Sequence, residues 1–305
     1  MVNSLAIIGA GRVGRALAKL LHQQGWRVGA VVTQNIGTAK KAVRFIGAGR
    51  PVAGISREIL ASQVVLLATP DDQLSVVAQR IVALLGREPQ RELEGMIFLH
   101  TSGALDAQVL QPLRHRGATV ASMHPLQTFS GVGVPPLEGK FFAVEGDELA
   151  VRAARKMVRS FGAKPVKLAA GKKVLYHAAA ALAAGHVLAV EEAATRMLMS
   201  AGLTRRQAMR SLLGLTRQVL ENYERLGTHA AWTGPLARAD YRVIAAHRAA
   251  LREMPAEYAN AYRALNLLAA RVLSPNARNT FAELAKIAAT TKSKSFQSKS
   301  GGLAS

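Results

Sequence analysis

The stretch Ala6–Leu21, AIIGAGRVGRALAKLL, constrains the fold more than any other part of this chain. An apolar run, Leu5–Ile8, stops at a turn with glycine at positions 9, 11 and 14, and an apolar-periodic segment starts at once. A strand that enters a helix through Gly-x-Gly-x-x-Gly opens a βαβ unit able to hold a dinucleotide. Gly9 permits the tight turn, Gly11 lets the backbone approach a pyrophosphate, and Gly14 allows close helix–strand packing. Arg12 and Val13 begin the helix, whose first N–H groups would face the phosphates. A glycine-rich turn that holds no ligand is the competing reading.

The rest of the first half keeps the same alternation. Strands are expected at Val28–Val32, Val64–Ala68, Ile97–His100, Thr119–Ser122, Phe141–Val144 and Pro165–Leu168. Helices are expected near Arg12–Gln24, Gln73–Leu85 and Asp106–Arg116, with Gly25 and Gly117 where C-caps would stand. Strands alternating with helices argue for an α/β fold, a doubly wound parallel sheet of the Rossmann type over residues 1–170.

From about Gly171 the strand signals stop. An alanine-rich helix is expected over Lys173–Ala201, ended by Gly202, and Thr204 with Gln207 forms a capping box for a helix to about Leu226. Asp240 can cap a helix toward Arg252, Pro255 suits the first turn of another ending near Leu273, and a last helix covers Pro275–Ala289. Residues 171–290 therefore read as an all-helical domain and 291–305, rich in serine, lysine and glycine, as a disordered tail.

Composition narrows the function classes. Half the residues are hydrophobic, enough for a buried core, and the absence of cysteine removes disulfides, thiolate metal sites and cysteine nucleophiles. No stretch approaches the roughly 20 apolar residues of a membrane span, and no basic segment precedes the apolar start, so neither span nor signal peptide is expected and the compartment is taken as cytoplasmic. The net charge of +21 comes from arginines scattered through helical stretches, such as Arg152, Arg155, Arg159, Arg205, Arg206 and Arg210. With aromatics at only 5%, this is not the pattern of a nucleic-acid binder; it favours an anionic cofactor and substrate.

The second strand ends VVTQN, so Thr33, Gln34 and Asn35 stand where an NAD site usually places an acidic residue. No carboxylate there would repel a 2′-phosphate, and Lys40, Lys41 and Arg44 follow, which favours NADP over NAD. The strand 64–68 ends at Thr69 and Pro70, at the sheet edge where ligands of such folds sit, and Asp71 or Asp72 caps the next helix.

Four later segments narrow the reading: HTSGALD (His100–Asp106), SMHPLQTFSGVGVPPLEGKFFAVEGD (Ser122–Asp147), YHAAAALAAGHVLAVEEAA (Tyr176–Ala194) and TGPLARAD (Thr233–Asp240). In this order they resemble the Rossmann-like proteins whose C-terminal half is domain of unknown function 2520. These are similar to the superfamily of 6-phosphogluconate dehydrogenase, pyrroline-carboxylate reductase and ketopantoate reductase. The resemblance covers about residues 3–285 and implies a 6-phosphogluconate-dehydrogenase-like helical domain, a homodimer formed through it, and an active cleft between the domains. It also implies that the fingerprint glycines and the Thr69-Pro70 turn hold the cofactor. Ser102-Gly103 and His124–Phe129, including Gln127 and Thr128, would face nicotinamide and substrate. The helix from Lys173 and the loop Thr233-Gly234-Pro235 would close the cleft. Two positions depart from the family pattern, which commonly has arginine at Gln34 and asparagine near Gly185.

Hydride transfer needs a donor that polarises a carbonyl or imine and protonates the product. His124 and His177 are the leading donors, since imidazole titrates near neutrality. Lys173, four residues before His177 on one helical face, could bind a carboxylate or act as the acid, Lys172 is as plausible by charge alone, and Ser102 offers a hydroxyl in a turn. The Lys-x-x-Asn of β-hydroxyacid dehydrogenases is absent, because Leu175 and Tyr176 occupy the fourth positions. His100, His115 and His229 lack metal-ligand spacing, so no metal is expected. The expectation is an NADP-dependent oxidoreductase acting on a small anionic oxo acid or imine, with ketopantoate reductase as a pattern. The alternative is a dinucleotide-binding sensor or scaffold without turnover.

Overall fold

The computed structural model describes residues 3–85, 92–169 and 171–300. They fall into two compact units, Met1–His186 and Val187–Ser305. The strands all lie in the first: β1 (Ser4–Ile8), β2 (Arg27–Thr33), β3 (Arg50–Ala53), β4 (Val64–Leu67), β5 (Ile97–His100), β6 (Thr119–Pro125), β7 (Phe141–Gly146) and β8 (Lys164–Lys167). Between them run α1 (Arg12–Gln23), α2 (Ile36–Ile46), α3 (Asp71–Leu84), the single turn α4 (Gln111–Arg114) and α5 (Glu148–Ser160), and α6 (Lys173–Ala181) follows β8.

The strands form one sheet in the order β3-β2-β1-β4-β5-β6-β7-β8. β1 to β6 are parallel, as a doubly wound dinucleotide fold requires. β7 pairs antiparallel with β6 and parallel with β8, so the sheet is mostly rather than wholly parallel. A parallel neighbour needs a crossover, usually helical, and the chain from Leu126 to Lys140 contains no helix to provide one. β3, absent from the sequence expectation, is a four-residue edge strand with Pro51 inside it. An edge position tolerates the missing donor, but proline and exposure hide the strand signal.

Alternation along β1 divides the core. Leu5 and Ile7 point to the side where α1, α2 and α5 pack, together with Leu17, Leu21 and Trp26. Ala6 and Ile8 point to the other, against Leu74, Ala78 and Ile81 of α3. Because both faces are covered, the strands read as continuous apolar runs. β-strand ends on one edge are thereby fixed side by side.

The second unit contains α7 (Val187–Ser200), α8 (Arg205–Ala231), α9 (Tyr241–Ala250), α10 (Ala256–Val272) and α11 (Ala277–Ser300). The Thr204–Gln207 capping box forms, with Thr204 Oγ1 accepting the Gln207 N–H at 3.3 Å. Asp240 caps α9 through the Val243 N–H. α8 is broken at Gly227, whose φ of 77° is not helical, one residue past the expected end at Leu226. Leu236, Ile244, Ala270 and Leu284 make a small core with Trp232 and Tyr241 against it.

Three expectations for the helical half change. The alanine-rich helix is not uniform, since a π-helical turn at Leu182–His186 separates α6 from α7. α6 starts at Lys173, where a helix was expected, but it falls in the same compact unit as the sheet, with Lys173 bonded into β6 and β7. Residues 291–300, expected to be disordered, continue α11 to Ser300, as a proline- and glycine-free stretch can once a helix is nucleated; residues 301–305 lie outside the described residues. The stretch Lys173–Ser200 is also long and apolar enough by length and composition to cross a membrane, contrary to the expectation that no stretch approaches a span.

Candidate functional site

At the C-terminal edge of β1, β2 and β4 lies a cavity of about 450 Å³ whose lining includes Gly9, Gly11, Thr33, Gln34, Thr69 and Pro70, together with Asn35, Thr38, Ile55, Gln73, Val77 and Arg80. The three glycines of the opening turn are required for three different reasons. Gly9 has φ +89°, and a Cβ there would stand 2.7 Å from the Ala68 carbonyl. A Cβ on Gly14 would stand 2.3 Å from the Gly9 carbonyl oxygen, so only glycine lets α1 approach the strand this closely. A Cβ on Gly11 would meet no atom within 4 Å; it would project into open space at the helix start. Gly11 is the N-cap of α1 and has no side chain to cap it, so the first-turn amides of Arg12, Val13 and Gly14 are offered outward. Thr69 Oγ1 is buried and has no hydrogen-bond partner among the described residues. An orphaned hydroxyl beside an uncapped helix start fits a phosphate-bearing ligand.

Asn35 caps α2 by accepting the Gly37 N–H at 2.7 Å, and Thr33 Oγ1 donates to the Asn35 carbonyl. Lys40, expected to reach the cofactor, is exposed on α2 and is not among the cavity-lining residues. Arg80, one turn beyond Val77 on α3, supplies a cation instead. Its signal was present in the spacing of Gln73, Val77 and Arg80, which places them on one helical face.

A polar cluster follows at the ends of β5 and β6. Ser102 Oγ donates to Asp71 Oδ2 at 2.8 Å and accepts from the amides of Ala104 and Leu105. Buried His100 holds the same loop from below, accepting the Ser102 N–H on Nδ1 and donating from Nε2 to the Asp106 carbonyl. Lys173, 5% exposed, donates from Nζ to Ser122 Oγ and lies 3.5 Å from Glu145 Oε1, which also accepts the Ala107 N–H. Ser102 and Lys173, both expected to act on substrate, thus bond within this cluster, Ser102 along its own loop and to Asp71, and Lys173 to β6 and β7. A buried ammonium must spend its donors on protein acceptors.

His124, Tyr176 and His177 lie beyond them. His124 Nδ1 is 2.8 Å from Tyr176 Oη, and the His124 ring meets Tyr176 and His177 edge-on at 5.5 and 5.8 Å. Gly103 is pressed against both imidazoles, and a Cβ there would come within 2.4 Å of His177. These side chains open on a second cavity of about 600 Å³, walled by Pro125, Leu126, Gln127 and Thr128 and by alanines of α6 and the π-turn. The loop after β6 also reaches the fingerprint, where Arg15 donates to the Gly131 carbonyl at 2.7 Å. Thr233, Gly234 and Pro235 lie in the second unit, where the Pro235 carbonyl accepts the Asp240 N–H ahead of α9.

Burial sets the charges here. Desolvation, then the Lys173 ammonium, then His177 push His124 down to about 4, so it is neutral at pH 7. Burial, then Lys173, push His100 down to about 3 despite its bond to Asp106. Burial lowers Lys173 to about 8 against the pull of Glu145. It raises Glu145 against the pull of Lys173. Burial also pushes Tyr176 up to about 12, which keeps the phenol protonated. Tyr176 is the residue that sequence reasoning passed over. Its signal was its place at the last position of a Lys-x-x-Asn pattern begun at Lys173, noted there only as a missing asparagine.

Comparison with known proteins agrees with this architecture. Residues 2–125 match the Rossmann-like domain family and residues 140–269 the domain of unknown function DUF2520. No functionally curated protein sequence matches the chain. Among solved structures, a protein provisionally named an NADP oxidoreductase, from Bacteroides fragilis, is 20% identical with a TM-score of 0.68, covering 87% of this chain and 96% of its own. A reductive aminase from Aspergillus terreus, in complex with NADPH and ethyl-5-oxohexanoate, is 21% identical with a TM-score of 0.67 over 89% and 94%. A pyrroline-5-carboxylate reductase from Coxiella burnetii is 15% identical with a TM-score of 0.54 over 86% and 96%. At these identities the likeness is one of fold.

Proposed function

We propose that this chain, in which a Rossmann-like domain is joined to a DUF2520 domain, is an oxidoreductase that uses a nicotinamide dinucleotide, NADPH in preference to NADH, to reduce a C=O or C=N bond. The observation that carries the reading is the uncapped start of α1 at Gly11, opening on a cavity that also holds the orphaned Thr69 hydroxyl. Gly11 and the first amides of α1 would take the phosphates, and Thr33, Gln34, Asn35 and Thr38 the adenosine ribose. No carboxylate is among the lining residues and Arg80 is, which suits a 2′-phosphate. The dinucleotide, when bound, supplies the hydride.

The chain's own residues would handle the proton. Tyr176, held protonated, is the donor that the geometry favours over His124 and His177. In its Nδ1-protonated tautomer, neutral His124 donates to Tyr176 Oη and leaves the phenol proton free to point into the second cavity. A sensor without turnover would have no use for this paired donor, and the pair favours the enzyme reading. We also propose that a second copy of the chain covers the helical unit. Large apolar side chains stand exposed on α7, α8 and α10, among them Leu188 (70%), Leu215, Leu220, Leu265 and Val272. Monomers rarely expose such a surface, and sedimentation would read the dimer directly.

The test of the cofactor site compares wild type with Gly11→Val. NADPH at about 100 times its dissociation constant should stabilise the wild type by about 2.7 kcal/mol. The variant should keep its fold, because a side chain there has room, and lose the response. A wild type that responds to neither NADPH nor NADH would reject the reading.

A further inference from the structure

The second cavity carries information about the substrate that neither the sequence nor the fold contains. Among the described residues, its wall holds no lysine, arginine, aspartate or glutamate. His124 and Tyr176, two of its polar side chains, are held uncharged at neutral pH by burial. Lys173 stands at the start of α6, but it is not a lining residue and its ammonium is engaged by Ser122 and Glu145. The remaining wall is small and apolar. Alanine occupies five lining positions from 179 to 184, and Leu126 is 41% exposed at the rim.

This is the wrong lining for the small anionic oxo acid that the chain's basic balance suggested. The +21 charge lies on the chain as a whole, whereas a carboxylate in this cavity would lose water and meet neither lysine nor arginine in the described wall. An apolar chain or ring would be favoured by burial against the alanines. A cavity of about 600 Å³ is also within the range of pockets that take ligands well larger than a three- or four-carbon acid.

Resting on the oxidoreductase reading above, we infer that the His124–Tyr176–alanine cavity takes an uncharged carbonyl compound with an apolar chain or ring of several carbons. The carbonyl oxygen faces Tyr176 Oη. In the reaction the carbonyl carbon gains a hydride and the oxygen gains the phenol proton, so C=O becomes CH–OH as the reduced dinucleotide is oxidised; solvent restores the proton to Tyr176.

The experiment uses a matched pair, 2-octanone and 2-oxooctanoate, which carry the same chain and differ by a carboxylate. Binding of each to the full chain is measured by thermal shift without nucleotide, and turnover with NADPH. We expect the ketone to bind more tightly and to be reduced with a kcat/KM at least about 100-fold higher than the oxo acid. Ala180→Phe, which fills the cavity, should weaken ketone binding about tenfold or more while NADPH affinity is unchanged. Equal or tighter binding of the oxo acid, or no binding of the ketone, overturns the substrate class. Failure of NADPH to bind overturns the oxidoreductase reading instead, and the nucleotide-free binding comparison still decides which ligand the cavity accepts.

Discussion

Lowering the pH from about 8 to about 5 should remove about 2 kcal/mol of folding stability through His100 alone. The imidazole is fully buried, its Nδ1 accepts the Ser102 N–H at 3.2 Å, and its Nε2 donates to the Asp106 carbonyl at 3.1 Å. A second ring proton would have to sit on Nδ1, against an N–H, beside the Lys173 ammonium. Hence the folded-state value is about 3, against an ordinary 6.5. Between these values the unfolded chain binds more protons than the folded one. Stability therefore rises with pH across the window and is lost as pH falls from 6.5 toward 3. At pH 5 the unfolded imidazole is about 1.5 units below its titration point, which at 1.36 kcal/mol per unit gives about 2 kcal/mol; the limit below pH 3 is about 5 kcal/mol. Urea denaturation of wild type and His100→Gln at the two pH values reads this directly. Glutamine retains an acceptor and a donor but does not titrate, so the variant should lose about 2 kcal/mol less than wild type between the two conditions. Carboxylates such as Glu145 titrate in both proteins and cancel in the difference. Equal losses would refute the argument that burial holds His100 neutral.

Gly14→Ala should destabilise the first unit by about 1–3 kcal/mol, measured by thermal unfolding, because its Cβ would sit 2.3 Å from the Gly9 carbonyl oxygen; an unchanged midpoint would mean that α1 can move away from β1 at no cost. Tyr176→Phe should cut turnover about 100-fold or more and leave the fluorescence-measured affinity for NADPH unchanged, and full activity would return the donor role to His124 or His177. Thr204→Ala should cost about 1 kcal/mol in the unfolding of the helical unit, since it removes the oxygen that accepts the Gln207 N–H; no loss would mean that solvent caps α8 equally well.

The first unit was legible because its signals are local. Leu5–Ile8 followed by Gly9, Gly11 and Gly14 is strand, turn and helix within about a dozen residues, and each glycine answers to a contact that backbone sterics impose. Capping was legible for the same reason: Thr204 and Asp240 bond amides three residues on. The reversal at β7 was not, because strand direction depends on what the linker from Leu126 to Lys140 becomes, and proline-marked β3 was hidden by its exposure at the sheet edge.

The candidate site divides along the same line. Residue types, their positions at strand ends or on one helical face, and the family resemblance carried the turn at Gly9–Gly14, Thr69, His124 and His177 into the candidate set. Only tertiary structure decided their surroundings. It buried Lys173 against Ser122 and Glu145, and turned Ser102 into a loop fastener through Asp71. It brought Tyr176 to His124, a residue 52 positions away, and surrounded both with a wall free of lysine, arginine, aspartate and glutamate among the described residues. The physical reason is that a side chain's charge and hydrogen bonds are set by its burial and its neighbours in space, and a sequence lists neighbours only along the chain.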